Sequence, residues 1–143
     1  MHKTGQDVAE FVAGVAPAKR RRDAETLLAM LREITGLEPE MWNAGIIGFG
    51  DYHYRYESGR EGDAGAAGFA PRKASTVLYL PDGLGYYADR LDRLGPHRSG
   101  VGCLYLTDLT TLDLDVLRDV LAESFARLTG GTYTKRAREG GTE

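Results

Sequence analysis

The chain has 143 residues, 42% of them hydrophobic, with 18 basic residues against 21 acidic ones and a formal net charge of -3. That length supports one well-buried core and excludes two ordinary domains, and the mixed, nearly balanced charges leave no electrostatic footprint for duplex nucleic acid or an anionic membrane surface. No apolar run approaches the roughly 18 residues of a membrane span, the sole cysteine, Cys103, has no disulfide partner in the chain, and the segment from Met1 to Asp7 lacks the apolar stretch of a secretory signal, so a cytoplasmic location is expected.

Val8, Phe11, Val12 and Val15 recur at the spacing of one helical face, with Thr4 or Gly5 as the expected cap and Pro17 as the stop. A stronger stripe follows in Ala24, Leu27, Leu28, Leu31 and Ile34, closed by Gly36, and the two helices are expected to form a hairpin. Arg20, Arg21 and Arg22 open the second helix. With Asp23, Glu25 and Glu33 at pairing distance along the helix, they read as a solvated charged face. From Met41 the period changes. Ile46 and Ile47 begin a strand, Gly48-Phe49-Gly50 are expected to break it, and Asp51 to Glu57 then alternate, with Tyr52, Tyr54 and Tyr56 on one face and His53, Arg55 and Glu57 on the other. The Gly-rich stretch Ser58 to Gly68 reads as a long hairpin connection, and Phe69 to Lys73 and Ser75 to Leu80 read as strands of an antiparallel meander. Tyr87, Leu91 and Leu94 mark a short helix ending at Gly95-Pro96, and Val101 to Leu106 form a buried strand that takes in Cys103 as a small hydrophobe. Leu117, Val120, Leu121, Phe125 and Leu128 give the last helix its apolar face, with Gly130-Gly131 after it. Residues 1–131 are thus expected to be one α+β domain with helices on one face of a mostly antiparallel sheet, and 132–143 an unstructured tail.

Familiar catalytic and binding motifs fail one by one. Gly48-Phe49-Gly50 and Gly100-Val101-Gly102 begin like dinucleotide fingerprints, but His53 and Tyr105 stand where the third glycine belongs and no βαβ unit surrounds either. Walker loops, nucleophile elbows and paired-cysteine zinc sites are absent from the sequence. Asp108, Asp113 and Asp115 lack the central glycine and terminal glutamate of a calcium loop and read as helix caps. Ser58, Ser75 and Ser99 have no spacing to His53 or His97 that would activate a nucleophile.

What remains is a run of polar and aromatic residues richer than a packed sheet requires: Trp42, His53, Tyr54, Arg55, Arg60, Glu61, Asp63, Arg72, Lys73, His97 and Arg98. Arg55, Arg60, Arg72, Lys73 and Arg98 supply donors for phosphate or carboxylate if they converge as a cationic cup, and Trp42 and Tyr54 would then wall it for a planar or apolar portion of the ligand. The alternative is that Arg60, Arg72 and Lys73 pair with Glu57, Glu61 and Asp63 to fix the glycine-rich hairpin, with the tyrosines as sheet core.

The ordered string Met41-Trp42, Gly45 to Gly50, Tyr52 to Asp63, Gly68 to Lys73, Leu94-Gly95 and Gly102 to Tyr105 resembles the YdhG-like family of bacterial domains of unknown function, over Val8 to about Phe125. The resemblance implies a frataxin-like α+β fold, and for some relatives a proposed role as intracellular iron chaperones for iron-sulfur or haem assembly. Iron would call on Glu61, Asp63, His53 and His97 as carboxylate and imidazole ligands, whereas the first helix offers only Asp7 and Glu10 in place of a dense acidic ridge. The chain also departs from the family: Ala64-Gly65-Ala66-Ala67 stands where relatives carry an aromatic and bulky apolar residues, and Pro96, Val101 and Asp108 stand where basic residues are common. The expectation is a non-enzymatic domain that binds an anionic small molecule or a protein partner, a homodimer included, through Trp42 to Lys73 and the His97-Arg98 loop. Iron handling is the alternative, and an enzyme with His53 or His97 as general base is a third reading.

Overall fold

The computed structural model describes residues 2–135. In chain order these form α1 (Val8–Ala13), α2 (Ala18–Thr35), β1 (Glu40–Trp42), β2 (Ile46–Arg55), β3 (Glu61–Pro71), β4 (Thr76–Tyr79), α3 (Ala88–Leu91), β5 (Arg98–Ser99), β6 (Cys103–Leu106) and α4 (Leu114–Thr129). The six strands make one open sheet in the order β1-β2-β3-β4-β6-β5, every pair antiparallel. The α+β class expected from the sequence is therefore observed, with two short edge strands, β1 and β5, that no sequence pattern announced. No helix among the described residues is long and apolar enough to cross a membrane.

Helix periodicity places the core. Leu27 and Leu31 of α2 and Leu117, Val120 and Leu121 of α4 join Ile47, Phe49, Phe69, Leu78, Leu104 and Leu106 of the sheet in one buried cluster. Each fully buried Leu, Ile or Phe contributes about 1.5–3 kcal/mol from removal of apolar surface from water. The alternate strand positions Ile46, Val77, Tyr79, Cys103 and Tyr105 point the other way and stay partly exposed. One sheet face thus carries the helices and the other is open.

Several expectations are corrected. Asp7, not Thr4 or Gly5, caps α1, its carboxylate accepting the Glu10 amide at 3.0 Å. Gly48-Phe49-Gly50 do not interrupt β2. The ladder to β3 keeps its register through them, but Gly50 sits at φ 71°, which re-aims the strand. Built on that backbone, a Cβ at Gly50 would point to Leu37 and Phe125 on the helix side, so Phe49 and Gly50 face the same way and the alternation restarts. Tyr52 and Tyr54 consequently pack under α4 with Ala66, Leu128 and Tyr133 in a second cluster, and Asp51 and His53 face the open side.

The glycine-rich stretch is a strand and not a loop. β3 begins at Glu61, and the connection is a tight turn in which the Tyr56 amide donates to the Arg60 carbonyl and the Gly59 amide to the Tyr56 carbonyl. Small residues are required there because aromatic rings lie on them: a Cβ on Gly62 would meet the Tyr54 hydroxyl at 2.8 Å. The last strand starts at Cys103 and buries only Leu104 and Leu106, leaving Val101 exposed. The expected tail is ordered at its start. The Tyr133 amide donates to the His53 carbonyl and its own carbonyl accepts from the Arg55 amide, both at 2.8 Å. The Tyr133 ring is buried beside Tyr52, and residues 136–143 of that tail lie outside the described residues.

The arginine run is only partly a solvated face. Arg20 is 3% exposed and donates to the carbonyls of Arg72, Leu106 and Thr107 at 2.9, 3.4 and 3.1 Å, with buried Asp23 at 3.8 Å. It pins α2 to the ends of β3 and β6. Arg22 reaches Asp23 and Asp108, and Glu33 bonds Arg118 on α4 rather than an arginine of its own helix. A second buried carboxylate, Asp82, accepts the hydroxyls of Tyr87 and Ser124 and lies 3.3 Å from Arg127 Nε, tying the loop after β4 to α4. Asp108 and Asp113 cap the turn and helix that follow them, as expected.

Candidate functional site

The open face carries a depression of about 250 Å³ across β1 to β4. Its floor is backbone at Gly65 and Gly68, which present no side chain, and it is bounded by Ile46, Tyr79 and Trp42, whose indole lies over Gly48. Strand pairing accounts for the arrangement. Trp42 is paired with Ile46, Gly48 with Gly68 and Gly68 with Tyr79, so these residues share one face in adjacent rows. Trp42 is only 5% exposed because its indole lies on Gly48.

At the Trp42 end, Lys3 crosses the open face. Its ammonium lies 3.0 Å from Glu40 Oε1, 3.2 Å from Asp51 Oδ2 and 5.6 Å from the centre of the Trp42 ring. Hydrogen bonds to Glu40 and then Asp51 raise its pKa. Further along the same face, His53 sits between Asp63, 2.8 Å from Nδ1, and Glu61, 2.8 Å from Nε2. The carboxylates, Glu61 first, raise the imidazole pKa and favour its doubly protonated form.

Of the residues singled out in the sequence, His53, Glu61 and Asp63 come together, and Trp42 lines the depression. The others disperse. Tyr54 is on the helix side of the sheet and stacks on Tyr56 at 4.7 Å, so it shares no wall with Trp42. Arg55 and Arg60 lie at one end of β3 and Arg72 and Lys73 at the other, separated by 11 residues of strand, or about 36 Å at the usual strand rise. Arg98 is four strands away from β2 on edge strand β5, its guanidinium 5.1 Å from the centre of the Tyr105 ring. The five cations do not form one cup. Glu61 and Asp63 clamp His53, so the alternative in which they fix Arg60, Arg72 and Lys73 is replaced by a histidine clamp. His97 is distant in the loop before β5, its Nδ1 2.7 Å from the Gly95 carbonyl.

The iron ligands suggested by the sequence therefore separate into three and one. Even the three are arranged as an ion pair, with the imidazole between carboxylates instead of all donors facing a common centre. No group of three or more His, Cys, Asp or Glu side chains among the described residues is placed to hold a metal ion. Cys103 lies half-buried on the open face, and burial pushes its thiol pKa up, away from the reactive thiolate.

The sequence reading missed Lys3, Glu40, Asp51 and Tyr79, along with the glycine floor. Isolated glycines inside a strand are a signal of close approach by a backbone, ring or ligand, and Gly48, Gly65 and Gly68 carry it. Neither a family model nor a curated protein nor a solved structure matches the chain.

Proposed function

We propose that this protein is a non-enzymatic binding domain that takes a flat apolar group into the depression between Trp42 and Tyr79. One observation carries the reading: a glycine floor bounded by aromatic side chains on the face that the helices leave open. Such a surface favours a planar group through contact area and ring stacking. The anionic ligand expected from the sequence is less well supported, because its cations lie at opposite ends of β3. Membership of the YdhG-like family, with its frataxin-like fold and a cytoplasmic setting, is part of the same proposal and rests on the motif string from Met41 to Tyr105. The hollowed Ala64-Gly65-Ala66-Ala67 segment is then this chain's own contribution, since Gly65 opens the floor where relatives carry bulk.

The test uses 1-naphthalenemethanol as a flat neutral probe. Trp42 is the sole tryptophan, so its indole N–H gives a single resonance to follow. Saturable displacement of that resonance is expected in the parent. Gly65→Val should abolish it by filling the floor beside Trp42, from which a Cβ at Gly65 would stand 3.6 Å and beyond. No saturable response in the parent, or an equal response in Gly65→Val, would sink the reading.

A further inference from the structure

We propose that the natural ligand of this depression carries an ammonium group, and that Trp42, Glu40 and Asp51 form the subsite that receives it. Lys3 occupies that subsite as a tethered stand-in. The inference rests on the depression being a binding site and adds the chemical class of its occupant.

An aromatic face with two carboxylates around one ammonium is what recognition of an alkylammonium requires, because the ring quadrupole and the anions both favour positive charge at one point. The positions that make it are dictated by strand geometry. Glu40 and Trp42 are two residues apart on β1, so their side chains share the open face. Asp51 is the cross-strand partner of Gly65, a residue of the floor. The subsite and the depression therefore share Trp42 and meet at the Asp51-Gly65 pair. A molecule with a flat body on the glycines and a short arm ending in an amine would fill both.

Lys3 holds the subsite through replaceable contacts. Its side chain is 38% exposed, and exposed ion pairs of this kind contribute little net stability. The segment is attached to the edge of β1 by two backbone hydrogen bonds, Thr4 N–H to the Met41 carbonyl and Asn43 N–H to the His2 carbonyl. When the Lys3 ammonium leaves, Glu40 and Asp51 are left facing the Trp42 ring and the charge they call for is positive. An anionic head group would meet both carboxylates and be repelled.

The experiment compares 1-naphthylmethylamine with the isosteric neutral 1-naphthalenemethanol at neutral pH, following the Trp42 indole resonance in the parent and in Lys3→Met, which keeps the aliphatic stem and removes the charge. The amine is expected to bind about tenfold more tightly to Lys3→Met than to the parent, while the alcohol changes by less than about twofold. Adding Asp51→Asn to Lys3→Met should erase the amine's advantage. If the alcohol binds but the amine gains nothing over it in Lys3→Met, or both gain equally, the ammonium subsite is refuted and the apolar site stands. If the alcohol binds neither protein, the apolar site falls and this inference falls with it.

Discussion

The Trp42 indole lies directly on the backbone of Gly48, so closely that a Cβ at Gly48 would come within 2.5 Å of Nε1 and 2.6 Å of Cδ1. Gly48→Ala must therefore push the ring off the sheet. Overpacking of this kind costs about 1–3 kcal/mol, and the displaced indole would also lose its place beside the depression. Urea unfolding should show the destabilisation and Trp42 emission should move to longer wavelength in the folded state. Unchanged emission and an unchanged midpoint would mean that the ring can shift without cost.

His53 gives the fold a dependence on pH. Its folded-state pKa is raised by hydrogen bonds to Glu61 and Asp63, so the clamp is fully present below the unfolded value of about 6.5 and is lost as pH rises through the higher folded value. The melting temperature of the parent minus that of His53→Gln should therefore be largest near pH 6 and shrink toward alkaline pH. A difference that stays flat across this interval would show that the clamp does not depend on the imidazolium.

Arg20 offers a large single destabilisation outside the apolar core. Arg20→Met leaves the carbonyls of Arg72, Leu106 and Thr107 without their donor and Asp23 without its buried counter-charge. Removing one partner of a buried pair typically costs about 3–5 kcal/mol. Chemical denaturation of Arg20→Met should show a loss of this order, whereas Arg22→Met, whose guanidinium is half exposed, should lose under about 1 kcal/mol.

The ring and the hydroxyl of Tyr133 contribute with opposite signs. The side chain is buried in the cluster with Tyr52 and Leu128, yet its hydroxyl has no hydrogen-bond partner among the described residues. Tyr133→Phe should leave stability unchanged or raise it by up to about 1 kcal/mol, since it relieves a buried unsatisfied group. Tyr133→Ala should cost about 3 kcal/mol through the cavity it opens. A Phe variant as damaged as the Ala variant would show that the hydroxyl is bonded in solution.

The helices were legible in the sequence because apolar residues such as Leu27, Leu31, Leu117 and Leu121 repeat at helical spacing and nothing overrides them. The alternation of Tyr52 and Tyr54 against His53 was legible for the same kind of reason. β3 was not, since glycine and alanine have little intrinsic strand preference and its strand character comes from Tyr54 and Trp42 lying on it. The cationic cup failed because composition counts Arg60 and Arg72 but not the length of strand between them. Lys3 escaped notice because its partner Asp51 is 48 positions away, joined to it only once β1 and β2 have paired.

Gly50 has a reach well beyond its own turn of backbone. With its φ of 71°, one strand supplies two different interiors: Ile47 and Phe49 go to the main core, then Tyr52 and Tyr54 go to the smaller cluster beneath α4. The same half-turn delivers Asp51 and His53 to the open face. A single torsion angle thus decides which side of the molecule is greasy and which is charged. Any residue that forced Gly50 back to an ordinary strand angle would set Tyr52, His53 and Tyr54 out of phase with their partners Ala64, Asp63 and Gly62 on β3, so the second half of the ladder could not keep both its faces and its pairing.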